Sequence, residues 1–192
     1  MIAGNLPNIL TITRIVLLPF FAVSLIYGNY DYALILFLLA SVTDVLDGYV
    51  ARIKKQATDF GSILDPVADK FLLITAFIII SVQNNEWIPK WLTIIVISRD
   101  LIVVTGWLII YFVTHNPKVE PSILGKATNA LQFLLIGIIL LFIKIKGETC
   151  GVNGDPCIPM FFLATVAVLT AISGLHYIYK GLETTNIERA EK

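Results

Sequence analysis

Charge is what this chain has least of. Fourteen Lys and Arg with 14 Asp and Glu make up 15% of its 192 residues, where a soluble domain carries about a quarter. The formal net charge of +0 excludes a nucleic-acid partner recruited by bulk charge. Histidine and cysteine are equally scarce, at two each. Cys150 and Cys157 have no histidine nearby in sequence, so no zinc site fits. His115 and His176 stand without metal-ligand company, and a solvated or packed imidazole is their expected state. The first apolar run lacks a basic leader and a small-residue exit, so no cleavable signal peptide is expected. Neither an internal repeat of the transporter kind nor a low-complexity linker is visible, and one domain over residues 1–192 is the economical organisation.

What fills the chain is apolar. Hydrophobic residues reach 57% and mean hydropathy is +0.82. Six segments approach the roughly 20 apolar residues a spanning helix needs: residues 9–27, 32–50, 63–82, 91–113, 123–143 and 158–179. The expected fold class is all-α, a polytopic membrane protein with six transmembrane helices. A short N-terminal interfacial segment, Asn5-Leu6-Pro7-Asn8, is expected before the first. Gly28-Asn29-Tyr30-Asp31 reads as a tight polar turn, and residues 183–192 as a frayed polar tail. Two of Trp87, Trp91 and Trp107 fall near the expected outer boundary, as interfacial anchors do.

Lysine and arginine orient the spans. With the N-terminus cytoplasmic, nine of the 14 basic residues lie on that side and Lys90, Lys144 and Lys146 on the other, with Arg14 and Arg99 inside spans. Both termini are therefore expected in the cytoplasm, most simply of a bacterium with this protein in its inner membrane. Cys150 and Cys157 then share one exported loop, where a disulfide is expected if the compartment oxidises; two free thiols fit the spacing as well.

One stretch departs from this pattern. Residues 44–69 read DVLDGYVARIKKQATDFGSILDPVAD, with four aspartates beside two apolar segments. Carboxylates are costly there unless they bind something. At about 100° per residue, Asp47, Gly48, Ala51 and Arg52 lie at about −60°, +40°, −20° and +80° from Asp44, on one helix face. The small Gly48 and Ala51 leave a trough in which a ring or phosphate approaches the backbone. Asp65 and Asp69, four apart, stack on one face of the next helix. Ser62 is the expected N-cap of that helix, with Asp65 at its third position and Pro66 in its first turn. The helix would then start just before Asp65, its positive end toward an anion, with Gly61 at a tight turn. Asp44 lies about 12 Å before Arg52 at the helical rise, at headgroup level. A transporter site is expected nearer the midplane.

Four close carboxylates stay ionised only if cations neutralise them. All-oxygen ligation favours Mg²⁺ or Mn²⁺, and two such ions would clamp a pyrophosphate and polarise its phosphorus. One carboxylate could also take a proton from an attacking hydroxyl. Structural salt bridges would need more basic partners than Arg52, Lys54, Lys55 and Lys70 supply.

The pattern D-x2-D-G-x2-A-R-x8-G-x3-D-x3-D resembles the signature of the CDP-alcohol phosphatidyltransferase family at every fixed position: Asp44, Asp47, Gly48, Ala51, Arg52, Gly61, Asp65 and Asp69. The resemblance extends through the N-terminal NLPNILT block with Arg14 and Pro19, the LDPVADK run, Ile97-Ser98-Arg99-Asp100 and Gly125-Lys126. It implies a six-helix membrane fold, usually dimeric, with a cytosol-facing cavity. It further implies two metal ions on Asp44, Asp47, Asp65 and Asp69, and Asp69 as general base. Gly48, Ala51 and Arg52, with Gly61, would receive the cytidine diphosphate of CDP-diacylglycerol, and an alcohol would displace CMP.

The acceptor is read from the remaining cations. Arg14 and Arg99 lie inside spans, either pairing with a carboxylate such as Asp100 and with helix carbonyls, or clamping an acceptor phosphate bidentately. Lys126 would add a second positive point, and glycerol 3-phosphate fits such a set. Asn129 and Gln132 share a face and would bond hydroxyls or neighbouring helices. Within the family, the N-terminal block and LDPVADK are similar to phosphatidylglycerophosphate synthases. Arg99-Asp100, where those enzymes commonly carry Arg-Glu, is similar to cardiolipin synthases, whose acceptor is phosphatidylglycerol. From a different class, a transporter with a carboxylate site fits the six spans but not the one-sided depth of the cluster.

Overall fold

An apolar segment surrounded by apolar neighbours must bond its own amides, and a helix does so within the segment. A computed structural model describes the backbone of residues 6–54, 59–83, 87–114, 123–146 and 158–190, and the side chains of residues 12–43, 70–83, 87–106, 124–145, 158–177 and 179. Six helices follow one another there: α1 (Leu6–Ile26), α2 (Tyr30–Lys54), α3 (Asp59–Gln83), α4 (Lys90–Thr114), α5 (Ile123–Lys146) and α6 (Met160–Ala190). Each of the six apolar runs lies on one of them, and each helix outgrows its run.

That lengthening corrects three expectations. Leu6, Pro7 and Asn8 open α1 rather than forming a separate interfacial segment, and Pro7 is tolerated there because first-turn amides lack helical partners. α3 starts at Asp59, so Ser62 is not its cap, Gly61 is helical, and Asp65 and Pro66 lie past the first turn. The cap at Ser62 is worth about 1 kcal/mol, too little to stop a helix whose further turns satisfy their own amides. α6 runs to Ala190, so residues 183–190 are helical instead of frayed; Glu, Arg and Ala there are good helix formers. The loop with Cys150 and Cys157, and His115, lie outside the described residues.

The chain groups into two compact units. The first comprises residues 1–88 and 133–157, in which α1 packs on both α2 and α3. Its α1–α2 corner is set by Gly28, at φ 71°, the left-handed conformation glycine adopts without strain. The Asn29 amide donates to Ser24 O at 2.8 Å and the Gly28 amide to Leu25 O at 3.1 Å, the paired bonds that close a helix C-terminus. Asn29 O then accepts from the Ala33 amide at 3.0 Å and starts α2. Phe37 stacks at the centre, its ring 6.0 Å from Phe21 and 5.8 Å from Phe133. Gln83 Nε2 donates to Ile26 O at 3.0 Å, tying the end of α3 to the last turn of α1. Trp87 belongs to this core, 1% exposed, and is not an interfacial anchor: burying its large ring outweighs a boundary position. Trp91 is exposed, as an anchor would be.

The second unit comprises residues 89–132 and 158–192, with α4 packed on α6. Both helices are entered through proline. Pro89 O accepts from the Leu92 amide at 3.0 Å and Pro159 O from the Phe162 amide at 2.9 Å. Hydroxyls along the helices turn back on their own carbonyls, as Thr170 does on Val166 O at 2.6 Å and Thr128 on Leu124 O at 2.8 Å. Such bonds let Ser and Thr sit in apolar surroundings.

Among the described residues, two segments, Leu124–Ile145 in α5 and Met160–Tyr177 in α6, are long and apolar enough to cross a membrane, with mean hydropathy 2.0 and 1.7. Only 39% and 33% of them is buried, whereas the core helix of a soluble protein is mostly covered. Apolar exposure recurs on every helix, for example Val16, Leu38, Val82, Ile94, Leu134 and Phe161. Large apolar residues left uncovered in such numbers mark a membrane surface.

Candidate active site

The eight signature residues divide between two helices of the first unit. Asp44, Asp47, Gly48, Ala51 and Arg52 lie in the last turns of α2, and Gly61, Asp65 and Asp69 in the opening turns of α3. Their side chains lie outside the described residues; the backbone gives their places along the helices. Only four residues join Lys54 to Asp59, a link that spans at most about 18 Å at full extension. Short connections make antiparallel neighbours. Asp44 stands ten residues before the end of α2 and Asp69 ten after the start of α3. Asp47 and Asp65 stand seven and six residues from the same ends. Counted from the link, the aspartates thus fall two by two at similar distances along their helices.

Aspartate is an all-oxygen donor, the residue type that suits hard divalent ions such as Mg²⁺ or Mn²⁺. Among the described residues no group of three or more His, Cys, Asp or Glu could hold a metal; the side chains of the signature aspartates lie outside them. With α3 beginning at Asp59, its positive end falls more than a turn before Asp65. The helix dipole, which acts within the first turn, is thereby removed as an aid at that carboxylate.

The cations fall in both units. Arg14, on α1 of the first unit, is buried at 1% exposure. Lys126 is exposed in the first turn of α5 and Arg99 is buried in α4, both in the second unit. Arg99 is the centre of a polar network. Its Nη1 donates to Asp100 Oδ1 at 2.7 Å and to Asn129 Oδ1 at 3.0 Å, and its Nη2 to Ser173 Oγ at 3.0 Å. One helical turn away, Gln132 Nε2 donates to Thr170 Oγ1 at 3.3 Å. Asn129 and Gln132, offered by the sequence to a ligand or to neighbouring helices, both bond neighbouring helices. Arg99 Nε and Gln132 Oε1 in this seam are buried with no hydrogen-bond partner. Sequence reasoning missed Ser173 and Gly174. The available signal was the Thr170/Ser173 pair, which repeats on α6 the three-residue spacing of Asn129/Gln132 on α5.

The CDP-alcohol phosphatidyltransferase family profile matches residues 4–175. The chain belongs to this family. The match takes in all eight signature residues, Arg14, Arg99, Lys126 and the α6 polar pair. Among the curated members, the chain is similar to the CDP-diacylglycerol–glycerol-3-phosphate 3-phosphatidyltransferase of Haemophilus influenzae, 33% identical over 194 residues that cover 96% of this chain and 98% of that protein. It is equally similar to the protein of the same name from Escherichia coli, 33% identical over 183 residues, 91% of this chain and 93% of the other. A probable cardiolipin synthase (CMP-forming) of Drosophila melanogaster is 33% identical over 152 residues, 71% of this chain; the match spans about half of that longer protein, 47%.

Proposed function

We propose that this protein transfers the phosphatidyl group of CDP-diacylglycerol to sn-glycerol 3-phosphate, giving phosphatidylglycerophosphate and CMP. The observation that carries the reading is the complete family signature on the adjoining ends of α2 and α3, in a chain that matches glycerol-3-phosphate phosphatidyltransferases over nearly their whole length. The protein acts as one integral membrane domain with six spans, most simply as a homodimer in a bacterial plasma membrane, with both termini and the aspartates on the cytoplasmic side. Nine of the 14 basic residues fall on that side by sequence, which supports this orientation.

The donor enters along the small residues of α2. Gly48 and Ala51 let the cytidine diphosphate lie against the helix, Arg52 meets its charge, and Gly61 keeps the opening turns of α3 unobstructed. Two divalent ions bound by Asp44, Asp47, Asp65 and Asp69 would neutralise the diphosphate and polarise the attacked phosphorus. In the second unit, Arg99 and Lys126 supply countercharge for the acceptor phosphate, and Arg99 has a donor for it on its unpartnered Nε. Asp69 removes the proton from the acceptor's primary hydroxyl. The new oxygen–phosphorus bond forms at the phosphorus bearing diacylglycerol, and the bridging phosphorus–oxygen bond breaks to release CMP.

A second reading keeps the donor and changes the acceptor. Arg99-Asp100 is similar to the cardiolipin synthase pattern, and the Drosophila relative carries that name, so phosphatidylglycerol is the competing acceptor. The test is product identification. Purified protein with CDP-diacylglycerol and Mg²⁺ or Mn²⁺ should release CMP and form phosphatidylglycerophosphate with glycerol 3-phosphate, and a chelator should stop it. Cardiolipin formed from phosphatidylglycerol would replace the acceptor. No CMP with either acceptor would end the enzymatic reading.

A further inference from the structure

Arg99 is held by more than the neighbouring Asp100, and part of what holds it belongs to α6. A guanidinium offers five N–H groups in a fixed planar fork. Three are engaged, two on Nη1 by Asp100 and Asn129 and one on Nη2 by Ser173. The second Nη2 hydrogen and the Nε hydrogen remain, and Nε is buried without an acceptor. Those two nitrogens form one edge of the fork, the kind of edge a phosphate takes up bidentately.

What fixes the plane of that edge is the question. Asp100 adjoins Arg99 in the chain and its short side chain grips one nitrogen, which leaves the fork free to pivot about that grip. Ser173 stops the pivot from α6 and Asn129 braces it from α5. Gly174 seats the stem: a Cβ there would lie 3.2 Å from Arg99 Cγ and 3.7 Å from its Cβ, so the arginine lies against bare helix backbone. The hydroxyl and the missing side chain are consecutive on α6, one fixing the head of Arg99 and the other the depth of its stem.

We propose that Ser173 and Gly174 are positioning residues that orient the guanidinium of Arg99, whose buried Nε has no hydrogen-bond partner, for the phosphate monoester of the acceptor alcohol. Neither touches a reacting atom; both act through Arg99. The inference rests on the reading of Arg99 as an acceptor-binding residue, and the variants below separate the two.

The full-length protein is assayed in detergent micelles, varying glycerol 3-phosphate and CDP-diacylglycerol independently. Ser173→Ala removes one oxygen without adding volume and should raise the acceptor KM roughly tenfold, with kcat and the donor KM nearly unchanged, the pattern of lost uniform binding. Ser173→Thr, which keeps the hydroxyl, should return most of that loss. Gly174→Ala keeps every polar group and should move the acceptor KM in the same direction as Ser173→Ala. Acceptor KM values within twofold of the parent in both alanine variants would overturn the positioning role. Arg99→Lys distinguishes the layers. If it raises the acceptor KM while the α6 variants do not, Arg99 binds the acceptor without their help. If it shifts donor and acceptor KM equally, the acceptor reading of Arg99 fails, and the proposal with it.

Discussion

A buried arginine beside a buried aspartate is costly unless its other donors find partners; the two terminal nitrogens of Arg99 find theirs on three helices, and Nε does not. The aspartates of α2 and α3 have the opposite character, since in the proposed function four like charges require cations to neutralise them. Asp69 carries the sharpest consequence. Asp69→Asn keeps the size and polarity of the side chain but cannot accept a proton at neutral pH. Turnover should fall roughly 10²–10⁴-fold, the usual contribution of a general base, while CDP-diacylglycerol still binds. Parallel measurements of CMP release and equilibrium binding check this, and near-normal turnover would remove Asp69 from the base role. The signature could be read from sequence because its chemistry fixes residue types within one short stretch. The partners of Arg99 could not: Asn129 lies 30 positions away and Ser173 lies 74 away, and nothing local marks either as its acceptor.

Helix ends show where local signals lose. The Ser62-x-x-Asp65 pattern with Pro66 is a fair N-terminus, yet α3 starts at Asp59. A cap is worth about 1 kcal/mol, whereas an amide left unbonded in apolar surroundings costs several. The α1–α2 corner is the contrary case, a local signal that holds. Gly28 at φ 71° should make Gly28→Ala destabilising by about 1–2 kcal/mol, the left-handed penalty of an L-residue. Gly137 provides the control. A Cβ there would stand 3.7 Å from Phe37 Cε1, an ordinary contact, so Gly137→Ala should be neutral or stabilising by up to about 1 kcal/mol from helix propensity. Thermal unfolding of the two variants in the same detergent should separate them in sign or clearly in size.

Across the whole molecule, apolar exposure and loop charge work together. Every helix turns large apolar side chains outward, and nine of the 14 basic residues fall on the side read as cytoplasmic. In a background without Cys150 and Cys157, Asn29→Cys at the α1–α2 corner should react with a membrane-impermeant thiol reagent on intact bacterial cells. Lys54→Cys, at the end of α2 that carries the signature, should react only after permeabilisation. The reverse pattern would invert the topology and place the aspartates away from the cytoplasm. Asp31 and Lys144, paired at 2.7 Å, belong to the same outer end in this reading. Both are well exposed, so their bond adds at most about 1 kcal/mol and does not decide the topology.

Composition and pattern alone determined the all-helical architecture, the six apolar runs and the carboxylate signature with its family. Each of these is written in residues close together in the chain, where period and spacing carry the information. Only the tertiary structure decided that Trp87 is core, that α3 begins before its apparent cap, and that Arg99 is gripped by Asn129 and Ser173. Those outcomes depend on which distant surfaces meet and on the cost of leaving a buried polar group unbonded, and neither quantity is local to a stretch of sequence.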